Sequence, residues 1–116
     1  MTDRLIKSAE AQGLHLLGLD GVKLGTVREL YVDLTTGNIE FVIVEAAGLL
    51  GGSGKFRPVP WTVIRYDPIA GGFQAALTKE AFKAAPDYDR DQLGKPGFAW
   101  SEQAERYFRD VGNAPH

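Results

Sequence analysis

From Leu14 to Leu77 apolar and polar residues alternate in short runs broken by glycine, proline and aspartate, which predicts strands and tight turns rather than helices. "GLHLLGLDG" reads as a strand running into an Asp20-Gly21 turn. In "VKLGTVRELYVDL", Val22, Leu24, Leu30, Val32 and Leu34 occupy even positions, so strict alternation puts them on one face and Val27 and Tyr31 on the other. Gly25 marks a bend or bulge. A turn at Thr36-Gly37-Asn38 leads into "IEFVIVEA", whose β-branched and aromatic residues predict a strand. Ile39, Phe41 and Ile43 share one face of it, Val42 and Val44 the other. Both faces are apolar, so cover is expected on each side. "KFRPVPW", "TVIRYD" and "GGFQAAL" complete the set, with prolines at an edge or bend and a turn in "DPIAGG".

The pattern changes after Leu77. "TKEAFKAAP" predicts a short helix with Thr78 as N-cap and Pro86 as stop. "DYDRDQLGKPG" is polar and turn-rich and reads as a surface loop. "SEQAERYFRDVG" predicts a terminal helix capped by Ser101, with Ala104, Tyr107, Phe108 and Val111 in one apolar stripe. The expected fold is mainly β: a small antiparallel β-barrel of five to six strands with short C-terminal helices. We divide the chain into an N-terminal segment (1–13), the barrel (14–88) and a C-terminal loop with its amphipathic helix (89–116).

Composition narrows the function classes. A chain of 116 residues, 44% hydrophobic and 24% charged, is one globular domain able to fold without a disulfide or structural metal. Its net charge of −2 provides no basic field, so no nucleic-acid partner is expected. The absence of cysteine excludes thiolate metal sites, Fe–S clusters and cysteine nucleophiles. The first residues lack the apolar core of a signal peptide, and no apolar run is long enough to span a bilayer. A cytoplasmic protein without direct membrane insertion is expected.

Candidate chemistry is sparse. "AAGLLGGSGKF" has the glycines and lysine of a phosphate cradle, but Gly48 and Gly54 are one residue too far apart for a P-loop. Phe56 stands where a hydroxyl must hold magnesium, and the prolines of "FRPVPW" exclude the helix that should come next. The stretch reads as a hairpin loop. Ser53 lacks the second glycine of a nucleophile elbow, and the two histidines, His15 and His116, supply no triad base. Asp87, Asp89 and Asp91 open like a calcium loop, yet Gln92 and Phe98 replace the required glycine and glutamate, leaving at most weak ion binding. Glu40 and Glu45 point to opposite faces of one strand and form no acid–base pair. Trp61 and Trp100 read as packing anchors, since no basic groove accompanies them for base stacking.

In order and spacing the strand block resembles a PRC-barrel domain. The pieces are Gly21 to Val27, the Asp33 to Ile39 hairpin, the valine-rich Phe41 to Val44, the glycines from Gly51 to Gly54, and Val59 to Trp61. "LTKEAFKAAPDY" is similar to the segment after the barrel in free-standing members. The resemblance spans Leu14 to Tyr88 and implies a barrel that acts through protein contacts, with no catalytic residues and no cofactor. Related barrels form the cytoplasmic part of the photosynthetic reaction-centre H subunit and the C-terminal domain of a ribosome-maturation factor. The chain is expected to lack the membrane helix of the first and the N-terminal domain of the second, so neither activity is carried over.

The interior of so small a barrel is filled by side chains, which leaves surplus apolar residues as the informative ones. The expectation is a non-catalytic adaptor that binds a protein partner and forms a homodimer. Its candidate contact residues are Leu49, Leu50 and Phe56 of the glycine loop, together with Tyr31, Val42, Val44, Tyr107 and Phe108. For the three loop residues, closing the barrel end is an equal reading. A small-molecule or ion sensor using the polar loops is the alternative; an enzyme has the least support.

Overall fold

Asp33 and Asp67 open two turns of the same construction in the computed structural model, which describes residues 5–47 and 55–113. Asp33 Oδ1 accepts from the backbone N–H of Thr35 at 2.8 Å and of Thr36 at 3.3 Å. Asp67 Oδ1 accepts from Ile69 at 2.9 Å and from Ala70 at 3.2 Å. Each turn closes four residues on, where Gly37 and Gly71 donate to the aspartate's own carbonyl from φ of 79° and 70°. A side chain at either glycine is disfavoured in that left-handed region, so Asp-x-x-x-Gly is the local code for both hairpins.

The first turn joins β2 (Lys23–Val32) to β3 (Ile39–Ala46); the second joins β5 (Ile64–Asp67) to β6 (Gly72–Ala75). With β1 (His15–Leu17) and β4 (Phe56–Pro60) they make one six-stranded sheet in the order β4-β3-β2-β1-β6-β5. The fold is mainly β, as expected. Its pairing is mixed rather than wholly antiparallel, because β6 returns to lie parallel to β1, with Leu16 beside Phe73. The barrel is also open. β4 and β5 are the two sheet edges, and among the described residues only a 3-10 turn, Trp61–Val63, links them.

The even-face reading of β2 holds for Val22, Leu24 and Leu30, which pack into the inner core, and fails for Val27, Val32 and Leu34. Leu24, Val27 and Leu30 point into the same core, three residues apart, while Val32 and Leu34 are exposed. The cause is register slippage on both sides: Leu16 pairs Gly25 but Leu17 pairs Lys23, and Val27 pairs Val44 but Glu29 pairs Ile43. Leu24 and Arg28 are therefore surplus residues: the first reversal of phase brings Val27 inside and the second returns Leu30 to the even face. A third slip, where Tyr31 pairs Phe41 but Val32 pairs Ile39, precedes the exposed Val32, and Leu34 lies in the turn itself. The alternation along β3 holds. Val42, Val44 and Ala46 face an inner core with Leu16, Val59 and Phe73, whereas Phe41 and Ile43 face an outer one.

The C-terminal residues supply the outer cover. Thr78 caps α2 (Lys79–Lys83) as expected, its hydroxyl accepting from Ala81 N at 3.0 Å. The polar stretch read as a loop contains a further helix, α3 (Arg90–Leu93). Asp89 and Gln92 form a reciprocal capping box, and Leu93 is the buried anchor that the polar composition conceals. α4 (Trp100–Asn113) begins one residue before the expected cap, so Ser101 lies inside it. Its Trp100 and Ala104 pack on Phe41 and Ile43, and Phe108 reaches round into the inner core. Ala11 of α1 (Ser8–Ala11) enters that inner core as well. The expected stripe is real, and it docks on its own barrel.

Candidate interaction surface

Most of the residues that the sequence marks for contact are already covered within the chain. Val42 and Val44 are fully buried in the inner core, and Phe108 is buried with them. Phe56 is buried against the outer cluster, with the Arg90 guanidinium 5.0 Å from its ring centroid. Tyr107 is half-buried and donates its hydroxyl to the carbonyl of Ala81. Tyr31 is half-buried in an aromatic group on the outer face, its ring edge-on to Trp100 at 5.4 Å and to Phe98 at 5.9 Å. All six take part in packing within the chain, with Val42, Val44, Phe56 and Phe108 buried and Tyr31 and Tyr107 half-buried. Leu49 and Leu50 lie outside the described residues.

Electrostatics reflects the same packing. Burial pushes the Tyr31 hydroxyl above its ordinary pKa of 10.0, with the charge of Glu29 adding to it. Tyr88 is raised first by burial and then by Asp87, and Tyr107 by burial. Two of the three aspartates that resemble a calcium loop are otherwise engaged: Asp87 lies 3.4 Å from Arg57 Nη2, and Asp89 caps α3. Among the described residues no group of three or more His, Asp or Glu converges to hold a metal. A cleft of about 390 Å³ lies where β4 and its 3-10 turn meet α4, lined by Glu40, Pro60, Val63, Glu105, Phe108 and Arg109.

The apolar residues left in solvent are different ones. Leu34 is 95% exposed and Ile69 97%, each next to or within an Asp-x-x-x-Gly turn whose hydrogen bonds fix the backbone. Val32 and Phe98 are about half exposed near the first turn and its Tyr31 neighbour, and Tyr66 stands 42% exposed on β5 before the second. Nothing in the hydrophobic pattern separates these from core residues. The signal was the turn chemistry, since an aliphatic side chain inside a hydrogen-bonded turn has no strand face to bury it.

The fold agrees with sequence comparison. The family model described as PRC-barrel domain matches residues 4–81. The chain belongs to the PRC-barrel domain family. Over 80 residues it is 32% identical to an uncharacterized protein of Deinococcus radiodurans; the match covers 69% of this chain and 28% of that protein. The chain thus spans less than a third of that relative's length. Among solved structures it is similar to a putative 16S ribosomal RNA processing protein, RimM, of Pseudomonas aeruginosa, at 15% identity and a TM-score of 0.47. That likeness covers 69% of this chain and 49% of the other. The family match extends through α1 and so includes residues that we assigned to a separate N-terminal segment. Among the described residues of this PRC-barrel chain, no helix is long and apolar enough to cross a membrane.

Proposed function

We propose that this PRC-barrel chain is a non-catalytic protein-interaction module that also self-associates. The observation carrying the proposal is the pair of turns that hold Leu34 and Ile69 almost wholly in water. An unfixed tip can fold an aliphatic side chain back onto the surface. A tip fixed by three hydrogen bonds keeps it presented, and a rigid apolar anchor costs little further order on binding. The inner core supports the non-catalytic part: Leu16, Val27, Val42, Val44, Val59 and Phe73 fill it and, among the described residues, leave no lumen for a substrate.

Affinity capture from the native lysate tests this reading, comparing the native chain with a Leu34→Ser/Ile69→Ser variant of unchanged melting temperature. A protein retained in stoichiometric amount by the native chain and lost by the variant is the expected result. Equal retention by both overturns the assignment of these tips.

The cleft beside α4 favours a second reading, a sensor of a small charged ligand, because Glu40, Glu105 and Arg109 meet apolar walls in it. Thermal unfolding against a panel of amines and divalent ions tests that reading, since binding to the folded state raises the midpoint.

A further inference from the structure

We infer that the free edge of β5 pairs antiparallel with the same strand of a second copy, centred on Tyr66. The inference rests on the self-association reading above and names the surface that performs it. The two edges of the sheet are unequal. On β4, Phe56 exchanges both backbone hydrogen bonds with Tyr88 at 2.9 Å, and Pro58 and Pro60 have no N–H to offer. On β5, Ile64–Asp67 pairs only with β6 among the described residues, and the strand contains no proline.

An exposed edge strand invites pairing, and short length or charge commonly protects it. β5 is short and charged, but its charges have opposite signs two residues apart: Arg65, then Asp67. A single-sign edge repels its own copy. An Arg-x-Asp edge attracts it, because antiparallel pairing about Tyr66 sets Arg65 of each copy opposite Asp67 of the other. Asp67 can serve both roles, since its turn uses Oδ1 and, among the described residues, leaves Oδ2 available to a guanidinium. Tyr66 meets its own counterpart at the centre, and the exposed Ile69 lies just beyond the strand end. The pairing continues the six-stranded sheet across a twofold axis and covers apolar surface on this hairpin.

The test exploits the sign logic. Arg65→Asp makes the edge wholly acidic and Asp67→Lys makes it wholly basic. Each variant alone should weaken self-association by about tenfold or more, and an equimolar mixture should restore a dimer containing one of each. Circular dichroism checks that each variant folds, because Asp67→Lys also removes a turn cap. The second arm does not depend on that cap. The chain has no cysteine, so Tyr66→Cys introduces a unique thiol. Directly opposed strand residues have Cα atoms about 4.5–5.5 Å apart, inside the disulfide range of about 4.4–6.8 Å. Mild oxidation should therefore give a linked dimer. A dimer that survives Arg65→Asp undiminished, or a Tyr66→Cys chain that stays unlinked at concentrations where the native chain is dimeric, overturns this interface while self-association stands. A native chain that is monomeric throughout overturns both.

Discussion

Arg57 and Asp87 are joined across the seam between edge strand β4 and the C-terminal segment, with Nη2 3.4 Å from Oδ2. Arg57 is only 4% exposed and lies among apolar side chains, 5.3 Å from the Phe82 ring centroid. Its Nη2 also donates to the carbonyl of Lys83 at 3.1 Å, while Nε and Nη1 have no hydrogen-bond partner among the described residues. A charge so placed is costly, and removing its counter-charge raises that cost. Asp87→Ala is expected to lower stability by about 1–3 kcal/mol, towards the lower end because Asp87 is partly solvated. Arg57→Met should be neutral or stabilising, since it removes the buried charge while keeping the volume. Urea unfolding of the two variants decides; equal losses would mean that packing, not charge, governs the site.

Trp100 fastens the terminal helix to the outer face. Its ring is edge-on to Phe41 at 5.1 Å, and Nε1 donates to the carbonyl of Leu93 at 3.2 Å. Trp100→Ala should destabilise the chain by about 3–5 kcal/mol. Hydrogen exchange on β3 and α4 should rise together in that variant. Loss of protection in α4 alone would show that the helix is a detachable cover and not part of the fold.

Much of this architecture was legible in the chain. Period-2 runs located the strands, and Thr78 and the Tyr107-Phe108 stripe located two helices. The errors have physical sources. Bulges at Leu24 and Arg28 cannot be seen in a hydrophobic pattern, because slippage depends on which neighbour pairs where. α3 was hidden by its polar composition, although Asp89 and Gln92 carried a capping signal three residues apart. The candidate contact residues stand out in the sequence by surplus hydrophobicity. A sheet covered on both faces by its own chain absorbs that surplus, as Val42 on the inside and Tyr31 on the outside demonstrate.

Gly25 permits the close approach of β2 and β3. A Cβ built there would lie 2.3 Å from the Glu45 carbonyl oxygen and 2.7 Å from Val44 Cγ1. The first obstacle is backbone, so no rotamer change relieves it. Gly25→Ala is expected to cost about 1–3 kcal/mol or to prevent folding. Thermal melting checks this, with Gly21→Ala beside it as a control of a different kind. Gly21 has open space around it but a φ of 76°, so its penalty is conformational.

The three shifted tyrosines predict the alkaline limb of the stability curve. Tyr31, Tyr88 and Tyr107 all hold their protons more tightly in the folded chain than at the ordinary 10.0. Above that pH the unfolded state loses protons first, so the folded state binds more of them and stability falls as pH rises. Their contribution is fully present below pH 10.0 and disappears as each folded pKa is passed. Melting temperature tracked upward from about pH 9 should decline, and Tyr31→Phe should flatten the decline. A curve unchanged by that substitution would exclude Tyr31 as a contributor.

That this barrel works by association is tested most directly by sedimentation equilibrium of the native chain across the micromolar range. The account predicts an average mass that rises from the 12.6 kDa of the monomer towards twice that value as concentration increases. A mass fixed at 12.6 kDa throughout would contradict self-association.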